Sequence, residues 1–149
     1  MERYFDDLKS GDRFNSETYS VTEAEIVEFG RKFDPQLFHV DPMSAGQTMF
    51  KGLVASGWHT AAITMRLFVQ TLHFAKGAIG LGVDELRWPN PVRPGDGLRV
   101  ETEIVDLRSS RSKPNYGVIR LSNVTRNQRG EIVQTMTASA LVLKRKLQA

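Results

Sequence analysis

Leu53-Val54-Ala55-Ser56-Gly57-Trp58-His59-Thr60-Ala61-Ala62-Ile63-Thr64-Met65-Arg66-Leu67-Phe68-Val69-Gln70-Thr71-Leu72 reads as one long helix. Its apolar residues fall on every side and leave no polar stripe wide enough for a surface helix, so the segment is expected to be buried. No Asp or Glu occurs between Asp41 and Asp84, which fits a helix enclosed by a sheet. The strands for that sheet follow it. Leu98, Val100, Thr102 and Ile104 alternate with Arg99, Glu101 and Glu103, the period of a half-buried strand. Tyr116 to Arg126 and Ile132 to Leu143 are two more, joined by the turn Asn127-Gln128-Arg129-Gly130. An earlier strand runs from about Ile79 to Trp88, where Pro89 and Pro91 stop it.

Ahead of the long helix, Thr22 with Glu25 forms a capping box for a first helix carrying Ile26, Val27, Phe29 and Phe33. Asp34-Pro35 closes it, because a residue before proline is pushed out of the α region. Asp41-Pro42 then opens a short helix through about Gly46 as N-cap and first helical residue. A helix-rich half followed by four strands means α+β, with an antiparallel sheet wrapped around a long central helix. The chain has 149 residues and no internal repeat, linker or low-complexity segment, so residues 1–149 are expected to form one domain that holds its core without staples.

Between the two N-terminal helices lies Phe33-Asp34-Pro35-Gln36-Leu37-Phe38-His39, expected as a loop. A carboxylate and an imidazole on either side of a helix-breaking proline can converge on one water molecule. Gly57, at the start of the long helix, offers a free backbone N–H to a developing oxyanion, aided by the positive end of the helix dipole. Either residue of the pair has an ordinary explanation alone, since Asp before Pro is common turn chemistry and a lone His is more often a hydrogen-bonded core or surface residue. Together with the glycine they form a kit for moving water on or off a polarised double bond.

The spacing resembles the MaoC-like hydratases, the R-specific enoyl-CoA hydratase group of the hotdog superfamily. The likeness runs from the helix at Thr22 to the strand ending near Leu143. The family motif places the catalytic Asp five residues before the catalytic His, with an oxyanion-hole glycine at the start of the central helix; these fall on Asp34, His39 and Gly57. Two departures stand out. The family writes Asp-x-Asn-Pro-x-His, whereas here Pro35 follows the Asp directly and Gln36 takes the place of the Asn; the family's His before the glycine is Ser56. The resemblance implies a hotdog fold and a lyase, a hydratase or dehydratase of fatty acid metabolism interconverting a 2-enoyl-CoA and a 3-hydroxyacyl-CoA. No cofactor is expected, coenzyme A being part of the substrate. Asp34 and His39 would hold and deprotonate the water, and Gly57 would receive the enolate charge, the missing side chain leaving room for the thioester.

Ser56 caps the helix or orients the pair, and His59 either meets a buried partner or does the same. Trp58 and Phe38 pack in the core or line an acyl pocket. The basic run from Arg108 to Lys113 is a loop of solvated charges or, through Arg111 and Lys113, a landing site for coenzyme A phosphates. The run Lys144-Arg145-Lys146 reads as a solvated tail or as a second such landing site. The alternatives to a hydratase are a hotdog acyl-CoA thioesterase, which commonly needs a carboxylate in or beside the central helix, and a non-catalytic acyl-CoA-binding subunit.

Other classes are expected to be absent. His39, His59 and His73 lack a metal-ligand spacing, and the basic clusters lack the aromatics and motifs of nucleic-acid binding. Zero cysteines, an acidic N-terminal stretch without an apolar run, and no segment of membrane-spanning length point to a cytoplasmic protein. The open edges of a small sheet curled about one helix predict a homodimer or higher homo-oligomer.

Overall fold

The computed structural model describes residues 1–146. Two short strands, β1 (Arg13–Asn15) and β2 (Tyr19–Ser20), lead into helix α1 (Glu23–Phe33). The Thr22 side chain accepts the Glu25 N–H at 3.2 Å, as expected of the cap. Glu25 does not reach back to the backbone to complete the box; its carboxylate takes the Thr22 and Tyr19 hydroxyls.

Two single-turn helices follow, α2 (Leu37–Val40) and α3 (Pro42–Ala45), the latter capped by Asp41 on the Met43 and Ser44 N–H groups. His39 therefore sits on α2, not on the loop expected between Asp34 and Asp41. The long helix α4 runs over Gly57–Leu72 and starts four residues later than the apolar pattern suggests. Ser56 sets the start by accepting the Trp58 N–H. Residues 54 and 55 are instead tied to neighbouring segments, Val54 N–H to the Phe38 carbonyl and Ala55 N–H to the Val92 carbonyl, each at 2.9 Å.

The remaining strands are β3 (Ala78–Arg87), β4 (Gly97–Ser109), β5 (Tyr116–Arg126) and β6 (Ile132–Leu143). They form an antiparallel six-stranded sheet in the order β1-β4-β5-β6-β3, with β2 also paired to β4. This is the hotdog fold. The sheet has two more strands than the four read from the sequence, because β1 and β2 are too short to show alternation. β4 runs five residues past Ile104, with a register shift between Ile104 and Asp106 that interrupts the alternation. Arg108 accordingly lies in a strand, and the connecting loop begins only after Ser109.

Helix α4 buries Ile63, Thr64, Leu67, Phe68 and Leu72, several of them in the two apolar clusters beneath the sheet. It is not enclosed on all sides. Trp58, Met65 and Val69 on its other flank are 61%, 49% and 49% exposed, and Ile79, Leu81 and Val83 of edge strand β3 are each 52% exposed. The all-round apolar pattern thus covers two surfaces, one packed on the sheet and one left bare by a single chain. No helix among the described residues is long and apolar enough to cross a membrane.

Candidate active site

Asp34 is the C-cap of α1, its backbone N–H bonded to the Gly30 carbonyl at 2.9 Å. Gly30 also governs where His39 stands, since a Cβ there would lie 2.9 Å from both the Cβ and the carbonyl oxygen of His39. Without side-chain bulk at position 30, α2 lies directly on α1. The two functional groups then meet: His39 Nε2 is 3.2 Å from Asp34 Oδ2.

Both groups are oriented from behind. His39 Nδ1 is 2.7 Å from the Val54 carbonyl oxygen, which can only accept, so Nδ1 carries a proton. In the neutral ring Nε2 is then a lone-pair acceptor beside the carboxylate. Asp34 accepts the Ser56 hydroxyl on Oδ2 at 2.7 Å and the Gln36 side-chain amide on Oδ1 at 2.6 Å. Burial pushes the Asp34 carboxyl up, but the bonds from Ser56 and Gln36, joined by the attraction of His39 when its ring is protonated, outweigh it and hold the group below the usual carboxylate range. Two adjacent acceptors of this kind can hold one water by its two hydrogens and leave its oxygen lone pairs free to attack.

Gly57 lines the same cavity, and its N–H, the first of α4, meets no acceptor among the described residues. A Cβ here would sit 2.6 Å from ring atoms of Trp88, so the indole already requires glycine at this position. Trp88 is held by its own Nε1–H to Gln134 Oε1 at 2.9 Å and by an edge contact with Trp58.

The cavity has a volume of about 660 Å³, within the ordinary range for small-molecule sites. Phe38, Phe50, Trp58 and Trp88 give it aromatic walls. Of the expected site residues, Asp34, His39, Gly57 and Trp58 line it, and Ser56 both caps α4 and donates to Asp34. His59 does not line it. That ring is buried, stacked on Phe29 at 4.8 Å with Nδ1 unpaired, and burial lowers its proton affinity against a weaker opposing pull from Glu25. Arg111 and Lys113 lie in the exposed β4–β5 connection, beside the segment at Lys144, and do not reach this cavity within one chain. Sequence reasoning missed Gln36 as a partner of Asp34, and missed Trp88, Phe50 and Arg93 as walls. Only Gln36 carried a signal, its place in the motif.

Residues 9–127 match the MaoC like domain, and the chain belongs to that family. The fold and site thus define a MaoC-like hotdog protein, of a family with hydratases and dehydratases among its relatives. The structure of a MaoC-like dehydratase from Rhodospirillum rubrum is 49% identical, with a TM-score of 0.90 over 97% of this chain and 99% of the other. The R-hydratase PhaJ1 from Pseudomonas aeruginosa is 28% identical, with a TM-score of 0.79 over 97% and 88% of the two chains. The 3-hydroxyacyl-thioester dehydratase Z of Mycobacterium tuberculosis is 33% identical over 62% of this chain, which spans 63% of that protein's length.

Proposed function

We propose that this protein hydrates a 2-enoyl-CoA thioester to the 3-hydroxyacyl-CoA and catalyses the reverse dehydration. One observation carries the reading: the Asp34–His39 pair, 3.2 Å apart, shares a cavity with the unpaired N–H of Gly57. Water held between Oδ2 and Nε2 loses a proton to the pair as its oxygen bonds Cβ. The π electrons move toward the thioester oxygen, where the Gly57 N–H and the positive end of α4 stabilise the enolate. The proton then returns to Cα through one member of the pair, so that one water has been added and the enzyme is unchanged. The names of the R-hydratase and of the thioester dehydratases support the reaction class. α4 contains no Asp or Glu, which counts against a thioesterase.

We further propose that the working form is a homodimer, with the bare flank of α4 and the edge strand β3 covered by a second copy. The test of the chemistry is spectrophotometric. Loss of enoyl-thioester absorbance on adding protein, with no free thiol released, is the expected result. Thiol release without hydration would identify a thioesterase, and neither change would identify a binding subunit.

A further inference from the structure

Arg93 shares the cavity of Asp34, His39 and Gly57. It comes from the turn between β3 and β4, and its guanidinium rests against the segment at Phe50 to Gly52. Nη2 donates to the Phe50 carbonyl at 2.6 Å, and Nη1 lies 3.4 Å from where a Cβ on Gly52 would be. Its donors on Nε and Nη1 meet no protein acceptor among the described residues. Asp96, the nearest acid in sequence, is spent on the Arg93 backbone N–H, on Gln128 and on Arg129. Asp34, the one carboxylate of the cavity wall among the described residues, is committed to His39, Ser56 and Gln36.

Arg93 is half-buried in a cavity with aromatic walls, and a guanidinium with donors to spare and no paired carboxylate gains most from an anion brought by the ligand. Its planar fork suits a carboxylate. The same wall includes Phe38 and Phe50, whose rings meet edge to face at 5.1 Å. Such surroundings fit a hydrocarbon chain ending in one carboxylate better than a hydrated, multiply charged phosphate. Resting on the hydration reading above, we propose that Arg93 selects an acyl group bearing its own carboxylate at the end remote from the thioester, so that the substrate is the enoyl thioester of a dicarboxylic acid.

The experiment compares a carboxylated 2-enoyl thioester with its methyl ester, each as the coenzyme A and as the N-acetylcysteamine derivative, the latter lacking phosphates. The wild type should prefer the free acid. Arg93→Gln, which keeps a donor for Phe50 without the charge, should lower kcat/KM for the acid on the order of 10²-fold, as expected for charge-assisted hydrogen bonds. Its loss on the ester should be at least about ten times smaller, the same ratio should appear with both carriers, and Arg93→Lys should restore part of the preference. Equal losses on acid and ester, or a loss seen only with the coenzyme A thioesters, would overturn the proposal, the second pointing to a carrier phosphate. Binding is read separately by the fluorescence of Trp58 and Trp88, the two tryptophans of the chain, both in this cavity. Preferential binding of the acid that Arg93→Gln abolishes would support the proposal even without turnover, a result that sinks only the hydration reading. Hydration of the ester with no preference for the acid sinks only this one.

Discussion

The head of α4 and its outer flank put one helix to opposite uses. At the head, Ser56, Gly57, Asp34, Gln36 and His39 form a small polar cluster in which each side-chain contact fixes another. Along the flank, Trp58, Met65 and Val69 join Ile79, Leu81 and Val83 of β3 as exposed apolar side chains with nothing of this chain upon them. The proposed acid–base pair thus draws all its side-chain contacts from one chain, whereas the apolar flank has no covering within that chain. The same chain buries Leu72 and Ile104 fully and leaves β3 bare on both faces, the contrast on which the proposed homodimer rests.

The largest effect should come from the head. Asp34→Asn and His39→Ala should each lower kcat on the order of 10²- to 10⁴-fold, the usual contribution of a general acid–base group, with a native circular dichroism spectrum. Because both act on one water in the proposed mechanism, the double variant should lose far less than the product of the two single losses. A folded single variant that keeps more than about half its activity would remove that residue from the mechanism.

Next is the flank. Leu81→Lys or Val83→Lys places a charge on the exposed edge strand, a substitution a solvated surface tolerates within about 0.5 kcal/mol. In an assembled dimer it should instead shift the mass seen by light scattering from two chains to one. A wild-type monomer at micromolar concentration with full activity would contradict the homodimer and turn the bare flank into a surface for some other partner.

Legibility in the sequence followed the range of the interactions. The caps at Thr22, Asp41 and Ser56, the proline stops and the strands β5 and β6 rest on local chemistry, and their positions were readable from neighbouring residues. β1 and β2 were not, because three- and two-residue strands exist only through pairing with β4, about 80 residues or more away. Asp34, His39 and Gly57 stood out by spacing, but what holds them did not. The Val54 carbonyl behind His39 and the Trp88 ring over Gly57 come from segments that only the tertiary fold brings near. The bare flank was hidden for a different reason: an apolar pattern records that a surface avoids water, not which chain covers it.

Ser56→Ala should produce a smaller effect with a recognisable signature. The Ser56 hydroxyl stabilises ionised Asp34, and the carboxyl is held below its ordinary value in the folded protein. Removing the donor raises that value, so the acid limb of the kcat/KM profile should move to higher pH while the plateau changes less. The stability linked to Asp34 is present above the unfolded carboxylate value of about 3.9 and is lost as pH falls through the lower folded value; the variant should lose it earlier on acidification. The missing cap itself should cost about 1 kcal/mol at neutral pH. A thermal melt across pH separates the two contributions, since the cap loss persists at every pH whereas the Asp34 contribution is present at neutral pH and disappears on acidification. An unmoved acid limb would mean that Ser56 serves as a cap alone.

The smallest effect is expected from Arg111 and Lys113. Both are exposed and outside the Asp34 cavity of their own chain, so any contact with coenzyme A is made beyond that cavity, to a substrate of the same chain or of a second copy. Contacts to the carrier hold ground state and transition state alike, so Arg111→Ala with Lys113→Ala should raise KM a few-fold and spare kcat. Salt should mimic the double variant, because exposed charges are screened with a Debye length of about 8 Å at physiological ionic strength. The result bears on the comparison of head and flank. A KM effect that disappears in a monomeric Leu81→Lys background would place these charges across the interface and make the second copy part of the substrate site. A KM effect retained in the monomer would assign them to their own chain's ligand, and no effect in either would leave them solvated surface charges.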